Sequence, residues 1–543
     1  MINKRQIAYE LIIFVVFIAL FGLFPNYDQG YDSYSYALDV RAGRELLHPH
    51  HLLYNIFGLL IYRLFEFTGA GSLRILSLAN SLIGALTLVI FNRIARIQAK
   101  DAAALVATFM TGFLFSFWYY ATSVEVNMPA LMFFCLALYA MAAAKTAKRS
   151  YVWAYIFITL AVLFHQLLVL AIIPILVFDA LRQKNIWRVI RQAAPWLASG
   201  LVIYVAAALF AAPEKTLAGI YRWLTLYGQL GAWGKISSAN LSAGVWGLIK
   251  TFFGGDAIRR FVYTWSWSFS TTLNLIAIII FAFGLVRLTA ILLKDLIFVR
   301  RGAWLRLLFI LCIIFGFFAL WWAPADDGFW LYPVVLFILL TGSFKTDRQG
   351  LLTIRKTSII MVLLLVIVNL AYEILPATKI QNSPTRQGVE AFRRLELNSN
   401  DLVLTSFSQI RLAYEYYFNI EVPTTCLMYL PEGDKNVVIS DLHHRIDTTL
   451  TTGRVIIFED EIYPEPYRRY LFERFSPEEY IMTYRRYLPD LVPVDSVRIY
   501  GKNVRLYSLL RPQNIKSPTT PLDLDDIDSG SQARDIKLES QPE

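Results

Sequence analysis

Long apolar runs separated by short polar segments dominate the chain up to about residue 375. Each run has about 16–24 residues, which is the length that an α-helix needs to cross a hydrocarbon core of about 30 Å. The pattern therefore predicts a polytopic α-helical membrane protein with about eleven spans. They are predicted at 7–24, 73–91, 102–119, 128–144, 151–164, 166–181, 193–211, 268–291, 307–323, 330–344 and 357–375.

The charges of the connecting segments indicate how the spans are oriented. Segment 51–67 contains Asn55 and Arg63, so we expect it to form a helix at the membrane surface instead of a span. With a cytoplasmic N-terminus, every cytoplasmic segment is then basic, whereas the outer segments 120–127 and 324–329 contain no Lys or Arg. Basic cytoplasmic loops are the usual arrangement, and a crossing at 51–67 would reverse it.

After residue 375 the chain changes character. Short apolar runs typical of strands alternate with amphipathic stretches, which predicts a small extracytoplasmic α/β domain over residues 376–511, beside a transmembrane domain over 1–375. Residues 512–543 are rich in Ser, Pro, Asp and Gln, which is typical of a disordered tail. Strands are expected at 401–406, 436–439, 454–458 and 504–509, and amphipathic stretches at 385–397 and 464–474.

The composition supports a membrane protein and changes how the net charge is interpreted. Of 543 residues, 56% are hydrophobic and only 17% are charged, whereas soluble proteins are about a quarter charged. The net charge of +10 comes largely from the short basic loops that topology requires, so it does not indicate nucleic-acid binding. Three cysteines imply no disulfide framework. The first run lacks a small-residue cleavage site, so we expect a retained anchor.

Acidic side chains in the outer segments are the first candidates for chemistry. Asp28 and Asp32 closely follow the first span, and Glu125 lies in the short outer loop TSVEVNMP. A carboxylate at a low-dielectric boundary is costly unless it has a role or a partner. It can act as a general base on a hydroxyl, and two or three carboxylates could hold a divalent metal such as Mg or Mn. The alternative is that these acids are simply solvated.

Basic and polar groups on the same side could contact a phosphate or a sugar. Arg suits bidentate phosphate contacts, although outer arginines can also be ordinary interfacial anchors. Imidazole can donate hydrogen bonds and also suits Zn or Mn. A second outer acid pair, Asp326 and Asp327, is expected to be exposed, although it could approach the site. The candidate donor and phosphate ligands are His48, His50, His51, His165, Arg222, Arg259 and Arg260.

Two outer motifs resemble those of a known family. The segment DSYSY at 32–36, followed by Gly43 and by HPHHLLY at 48–54, is similar to the first outer loop of GT-C glycosyltransferases. Its nearer relatives are the bacterial members that resemble protein O-mannosyltransferases. FWYYATSVEVN at 117–127 resembles the second motif of that family, an aromatic cluster followed by an acid. The resemblance extends over roughly the first 190 residues.

The resemblance implies an inverting transferase that moves a sugar from a polyprenyl-phosphate carrier to an acceptor hydroxyl on the non-cytoplasmic side. Asp32 would be the general base, Glu125 would assist at the catalytic centre, and Asp28 would be the partner in an acid pair. The acceptor could be a protein, a lipid or a glycan. Independently of the resemblance, the C-terminal domain contains no Gly-rich phosphate loop, metal-ligand spacing or nucleophile motif, so we expect a lid or an acceptor-recognition module. The modest length and the lack of a retention motif favour a bacterial plasma membrane as the expected location.

Two other classes remain open, a transporter or lipid flippase and a non-catalytic membrane scaffold. Transporters usually place ionisable residues near the middle of the membrane and often contain repeats, and neither feature is evident here. A scaffold would not explain the acid-rich first loop. The three classes are distinguished by whether Asp32 and Glu125 meet in one outward cavity.

Overall fold

A computed structural model of the chain describes most of its length. The described residues are 4–99, 101–144, 149–225, 234, 238–255, 258, 267–298, 302–342, 348–427, 434–462, 476–499 and 502–509. The helices up to residue 377 are α1 (Lys4–Leu23), α2 (Tyr31–Ala42), α3 (Tyr54–Phe65), α4 (Ser72–Gln98), α5 (Asp101–Gly112), α6 (Phe115–Thr122), α7 (Asn127–Ala143), α8 (Arg149–Phe164), α9 (Ile172–Gln183), α10 (Ile186–Ala211), α11 (Leu217–Leu224), α12 (Ser238–Phe253), α13 (Phe269–Phe298), α14 (Ala303–Trp322), α15 (Asp327–Gly342) and α16 (Arg348–Val368).

Many of these helices are long and apolar enough to cross a membrane, so the chain is a multi-pass membrane protein. Seven described helices meet that condition, and an eighth span is formed if the bent pair α5 and α6 counts as one. Three shorter apolar helices are α7, the Tyr151–Phe164 part of α8, and α15. The predicted total of about eleven would require all of these to cross. Large apolar side chains such as Leu201, Val202 and Phe210 on α10 are exposed, as expected where a helix meets lipid.

Several predicted spans contain breaks that place polar groups among the helices. The predicted span 102–119 bends by 63° between α5 and α6. The predicted break at His165 is present, because α8 ends at Phe164 and a 3-10 helix, Gln166–Ala171, follows. Another irregularity is a π-helical turn, Asn369–Ile374, that continues α16 to Leu375–Ala377. Helix α3, predicted to lie at the surface, is about 18 Å long, which is too short for a span.

The C-terminal domain is a five-stranded mixed sheet with helices on both faces. The strand order is β2-β1-β3-β5-β4, with β1 parallel to β2 and β3, and β5 antiparallel to β3 and β4. The strands are β1 (Leu402–Leu404), β2 (Thr424–Thr425), β3 (Val455–Phe458), β4 (Leu491–Ile499) and β5 (Lys502–Leu509), and the helices are α17 (Pro384–Arg394), α18 (Gln409–Phe418), α19 (Lys435–Thr452), α20 (Glu459–Ile462) and α21 (Pro477–Tyr484). Short 3-10 helices lie at Glu66–Thr68, Ile380–Asn382 and Arg485–Asp490.

In this domain one predicted strand is wrong and one strand was not predicted. Residues 436–439 form the start of α19, not a strand, because the Asp434 side chain caps the helix by accepting a hydrogen bond from the Asn436 N–H. Strand β4 was not predicted, since its sequence LVPVDSVRI contains a proline and a bulge between Pro493 and Asp495. The stretch 464–474 and the tail 512–543 lie outside the described residues.

The C-terminal domain shares part of its hydrophobic core with the first loop. Successive strand residues point to opposite faces of the sheet, and Val403 and Ile456 face α17 and α18. Tyr34 and Leu38 of α2 pack into this same cluster. Two hydrogen bonds reinforce the contact, from Arg41 to the Tyr416 carbonyl at 2.8 Å and from the Leu73 N–H to the Tyr416 hydroxyl at 3.1 Å. The domain is therefore packed directly on the helix that carries Asp32.

Candidate active site

Helix α2 holds Asp32 in its first turn. The helix begins after Gly30, whose backbone is extended, and ends at Gly43, whose positive φ of 67° is readily adopted by glycine. One side of α2 packs on the C-terminal domain, whereas Tyr36 and Val40 belong to the core of the membrane helices. The helix is therefore fixed from both sides. Part of the surface of Asp32 is accessible to solvent, although many protein atoms lie around the carboxylate. This combination is expected for a group that faces a cleft.

The loop between α6 and α7 brings Glu125 to α2. The Ser33 hydroxyl, 92 residues earlier in the chain, lies 3.5 Å from Glu125 Oε1. A Cβ added at Gly30 would lie 3.1 Å from the Tyr119 hydroxyl and 3.9 Å from Glu125 Oε1, so the backbone passes closely over this acid. Glu125 is 8% exposed. The two acids predicted to work together therefore meet at one site.

Three buried amides, which were not predicted, hold the two loops together. Asn80 of α4 donates to the carbonyls of Ser123 and Glu125, both at 2.8 Å. Gln29 donates to the Thr122 carbonyl and accepts from the Val124 N–H. Asn26 donates to the Ser123 hydroxyl at 2.9 Å. A polar residue within an apolar helix, such as Asn80, is a signal that could have been noticed.

The loop before α15 adds a second pair of acids to the site. Asp327 is buried and forms an ion pair with Lys250 of α12 at 3.0 Å, and it also accepts a 2.6 Å hydrogen bond from Ser116. Lys250 also donates to the Ala325 carbonyl at 3.2 Å. The expectation of an exposed acid pair is wrong for Asp327, because a cation from another helix compensates its burial. Asp326 retains exposed surface and accepts a hydrogen bond from the Gly328 N–H.

The acids differ in how readily they ionise. Burial, and then the charge of Asp326, raises the pKa of Asp32 to about 6. Burial, followed by the charges of Asp32, Asp326 and Asp327, raises the pKa of Glu125 well above its ordinary value. Burial and the charge of Asp327 raise the pKa of Asp326. Burial and the neighbouring charges thus favour the neutral form of Glu125, whereas Asp32, with a pKa of about 6, is largely ionised at neutral pH.

Asp28 contacts the C-terminal domain. The Ser383 hydroxyl lies 3.4 Å from its carboxylate, and its charge raises the pKa of Tyr34. The charge of Asp326 acts on Asp32, and the charges of Asp32, Asp326 and Asp327 act on Glu125. The acids that act on the two predicted catalytic acids are thus Asp326, just before α15, and Asp327, its first residue.

The four predicted histidines come together beside the acids. Two backbone hydrogen bonds, both 3.0 Å long, hold their two segments together. The Leu53 N–H donates to the Leu163 carbonyl, and the Gln166 N–H donates to the His50 carbonyl. We call His48, His50, His51 and His165 the histidine cluster. The His51 ring lies 6.0 Å from the Tyr36 ring of α2, one turn after Asp32.

The predicted arginines do not converge with these groups in the described part of the chain. Arg222 forms an exposed ion pair with Glu214 at the end of α11. Arg259 and Arg260 lie outside the described residues. Lys250 is the cation that the structure brings to the acids.

A metal site was predicted from Asp28, Asp32 and Glu125. Among the described residues, no three His, Cys, Asp or Glu side chains are placed so that they could hold a metal ion. Asp28 contacts Ser383 of the C-terminal domain, so the expected three carboxylates do not form such a group. A divalent metal, Mg or Mn, stays a prediction, and the mechanism below contains no metal-dependent step.

Comparisons with known proteins agree with the fold, and the family match spans the second outer motif and the HPHHLLY part of the first. Residues 48–211 match the family model described as dolichyl-phosphate-mannose-protein mannosyltransferase. The fold is similar to that of the Archaeoglobus fulgidus oligosaccharyltransferase in its apo form, which is 14% identical, with 90% of this chain and 73% of that chain covered and a TM-score of 0.53. The same enzyme tethered to an acceptor peptide with an NVT sequon is 12% identical, with coverages of 93% and 74% and a TM-score of 0.52.

A weaker likeness is to apo ArnT from Cupriavidus metallidurans, at 14% identity, coverages of 94% and 98% and a TM-score of 0.39. The comparison with curated proteins found no match. The family match over residues 48–211 agrees with the resemblance of the two outer motifs to the GT-C membrane glycosyltransferases. Within this class, residues 48–211 are similar to the protein mannosyltransferase-like members.

Proposed function

We propose that the protein is an inverting glycosyltransferase that moves a sugar from a polyprenyl-phosphate carrier to an acceptor hydroxyl. We place the reaction on the extracytoplasmic side of a bacterial plasma membrane, and the acceptor is a protein, a lipid or a glycan. The observation that carries the proposal is the convergence of Asp32 and Glu125 at one site. The family model over 48–211, named for a dolichyl-phosphate-mannose donor, supports the class of donor.

In this proposal Asp32 is the general base. Its carboxylate takes the proton of the acceptor hydroxyl while the acceptor oxygen attacks the anomeric carbon. The bond between that carbon and the phosphate oxygen breaks, and the carrier phosphate leaves with the electron pair. Attack from the side opposite the phosphate inverts the anomeric configuration. A base is most effective when its pKa lies near the working pH, and a pKa of about 6 meets that condition.

Glu125 has a different role because its raised pKa favours the protonated form. Two adjacent ionised carboxylates repel each other, so a neutral Glu125 allows Asp32 to keep its charge at neutral pH. Lys250 compensates the negative charge of Asp327 through the 3.0 Å ion pair, so Asp327 can also stay ionised. Only part of the negative charge at the site is therefore uncompensated. The anionic donor consequently meets less repulsion than four ionised carboxylates would cause.

The proposal is tested by transfer from radiolabelled carriers. Purified full-length protein is incubated with a membrane extract and with polyprenyl-phosphate mannose, glucose or arabinose. Appearance of label in an acceptor fraction, dependent on the carrier-linked sugar, is the expected result. Absence of transfer from all three donors, by protein shown to be folded, would favour the transporter or scaffold classes.

Asp326 is expected to set the pH dependence of the reaction. Its negative charge raises the pKa of Asp32, so Asp326→Asn should lower that pKa. Since the base works only when deprotonated, wild-type kcat/KM should fall as the pH drops below about 6, and the variant should retain activity to lower pH. The measurement is a pH–rate profile of both proteins. Asp447→Asn, a change at an exposed acid of α19, should leave the profile in place. An unshifted profile for Asp326→Asn would contradict this role.

Asn80 is expected to matter for activity beyond its effect on stability. Asn80→Ala leaves the buried carbonyls of Ser123 and Glu125 without their donor, at a cost of about 1–3 kcal/mol each. Asn92 on the same helix is equally buried and donates to Thr108, away from the acids. Asn92→Ala is therefore the matched control. Both variants should unfold at lower temperature, but only Asn80→Ala should lose transfer when both are assayed well below unfolding. Equal activities would show that Asn80 does not position Glu125.

A further inference from the structure

The hydrogen bonds around the histidine cluster determine which ring nitrogens carry protons. His165 Nδ1 accepts from the Leu167 N–H at 3.3 Å, which places its proton on Nε2. His50 Nδ1 lies 2.7 Å from the amide oxygen of Gln166, and because that oxygen only accepts, Nδ1 is the donor. His51 bonds the Phe164 backbone through Nε2, because its Nδ1 has no hydrogen-bond partner among the described residues. Nδ1 of His51 therefore carries a lone pair.

This lone pair is enclosed by the protein. His51 is 8% exposed, its ring stacks on His48 at 5.4 Å with an interplanar angle of 10°, and its edge meets His165 at 5.0 Å. A buried acceptor without a donor is energetically unfavourable. Such a group in a site that must bind substrate indicates that a ligand supplies the donor.

The chemistry of the proposed donor substrate separates its two polar parts. A carrier-linked sugar phosphate is a phosphodiester, which is ionised at neutral pH and has only acceptor oxygens. Sugar hydroxyls both donate and accept. Burial lowers the pKa of His48 to about 4 and that of His51 well below its ordinary value, so these rings are neutral at pH 7 and lack the charge that favours phosphate. The lone pair of His51 matches a hydroxyl and not a phosphodiester.

The cluster is also placed beside the reacting groups. The Tyr36 ring, on the helix of Asp32, meets the edge of His51. On the other side, His165 lies 6.1 Å from the ring of Phe329, two residues after Asp327. The cluster therefore contacts the two segments that carry Asp32 and Asp327.

We infer that the histidine cluster recognises hydroxyl groups of the transferred sugar, with His51 Nδ1 accepting a hydrogen bond from one of them, and does not recognise the carrier phosphate. The inference rests on the proposed function and assigns one part of its substrate to one group of residues. It narrows the predicted role of these histidines, which left phosphate and sugar as alternatives.

The test is binding of two probes to full-length protein in detergent, polyprenyl-phosphate mannose and sugar-free undecaprenyl phosphate. His51→Phe keeps an aromatic ring for stacking but removes the acceptor. It should weaken binding of the mannose carrier by about three- to tenfold, which is the effect expected from the loss of one hydrogen bond. Binding of the sugar-free carrier should be unchanged. His51→Asn, which restores an acceptor close to the position of Nδ1, should recover most of the loss. His444→Phe, at an exposed histidine of α19, is the control.

Each other result overturns the inference. Equal weakening for both probes would mean that the cluster binds phosphate, and no weakening for either would mean that it only packs. If His51→Phe does not fold, His51→Asn decides, because it should bind the mannose carrier nearly as wild type does. Wild-type protein that binds the mannose carrier no better than the sugar-free carrier would also overturn it. Wild-type protein that binds neither probe would instead contradict the proposed function.

Discussion

Replacing Asp32 by Asn is expected to reduce sugar transfer by at least about a hundredfold. The amide has nearly the size of the carboxylate but cannot take the proton of the acceptor hydroxyl. Because protein fixes α2 from both sides, the substitution should leave the fold intact. The measurement is the initial rate of label transfer by wild type and variant between pH 5 and 8. Wild-type rates should rise through pH 6, where Asp32 loses its proton, whereas any residual rate of the variant should lack this step.

Two further variants test whether the loss of transfer is specific to the proposed base, Asp32. Asp441→Asn changes an exposed carboxylate that pairs with Arg445 in α19, and it should transfer sugar as wild type does. Glu125→Gln should lose less than Asp32→Asn, because glutamine resembles the protonated form that the raised pKa of Glu125 favours. Full activity of Asp32→Asn would show that another group takes the proton.

The two candidate acids could be identified in the sequence because their motifs are local. Asp32 and Glu125 each lie in a short polar segment next to an apolar run, and the family resemblance covers both segments. The groups that tune them could not be predicted in this way. Lys250 reaches Asp327 from another helix, and the sequence does not show which way a side chain on a helix points.

The fold was predictable where its pattern is long and periodic. Apolar length identifies helices such as α10 and α14 without reference to the rest of the molecule. Breaks depend on tertiary contacts. The carbonyls left open between α5 and α6 and at the end of α12 are satisfied by Asn369, which donates to Phe113 and Phe252 at 2.8 and 2.7 Å. No local signal near residue 113 reveals a partner 256 residues away.

The shared core bears on the role of the C-terminal domain. A lid would close over the site and open again, and its contact with the first loop would have to be separable. Tyr34 and Leu38 are instead buried in the same cluster as Phe392 of α17 and Ile456 of β3. The salt bridge from Arg44 to Glu415 adds a further link. These contacts favour a domain that holds α2, and with it Asp32, in a fixed position.

Leu38→Ala is therefore expected to impair both the anchoring of α2 and the reaction. Leu38 is 3% exposed, and removing a buried leucine side chain costs about 2–5 kcal/mol. Loosening α2 displaces Asp32, and a displacement of about 1 Å can reduce a rate by about a hundredfold. Transfer should thus fall by about ten- to a hundredfold, measured well below the unfolding temperature of the variant.

The matched control is Leu442→Ala, which removes the same side chain from α19 on the other face of the sheet. Leu442 is fully buried, so the loss of stability should be similar, but it packs away from α2 and transfer should be nearly retained. A difference between the two variants would separate positioning of Asp32 from general stability of the domain. Equal losses would mean that the domain contributes stability alone, and equal retention would mean that α2 stays in place without it.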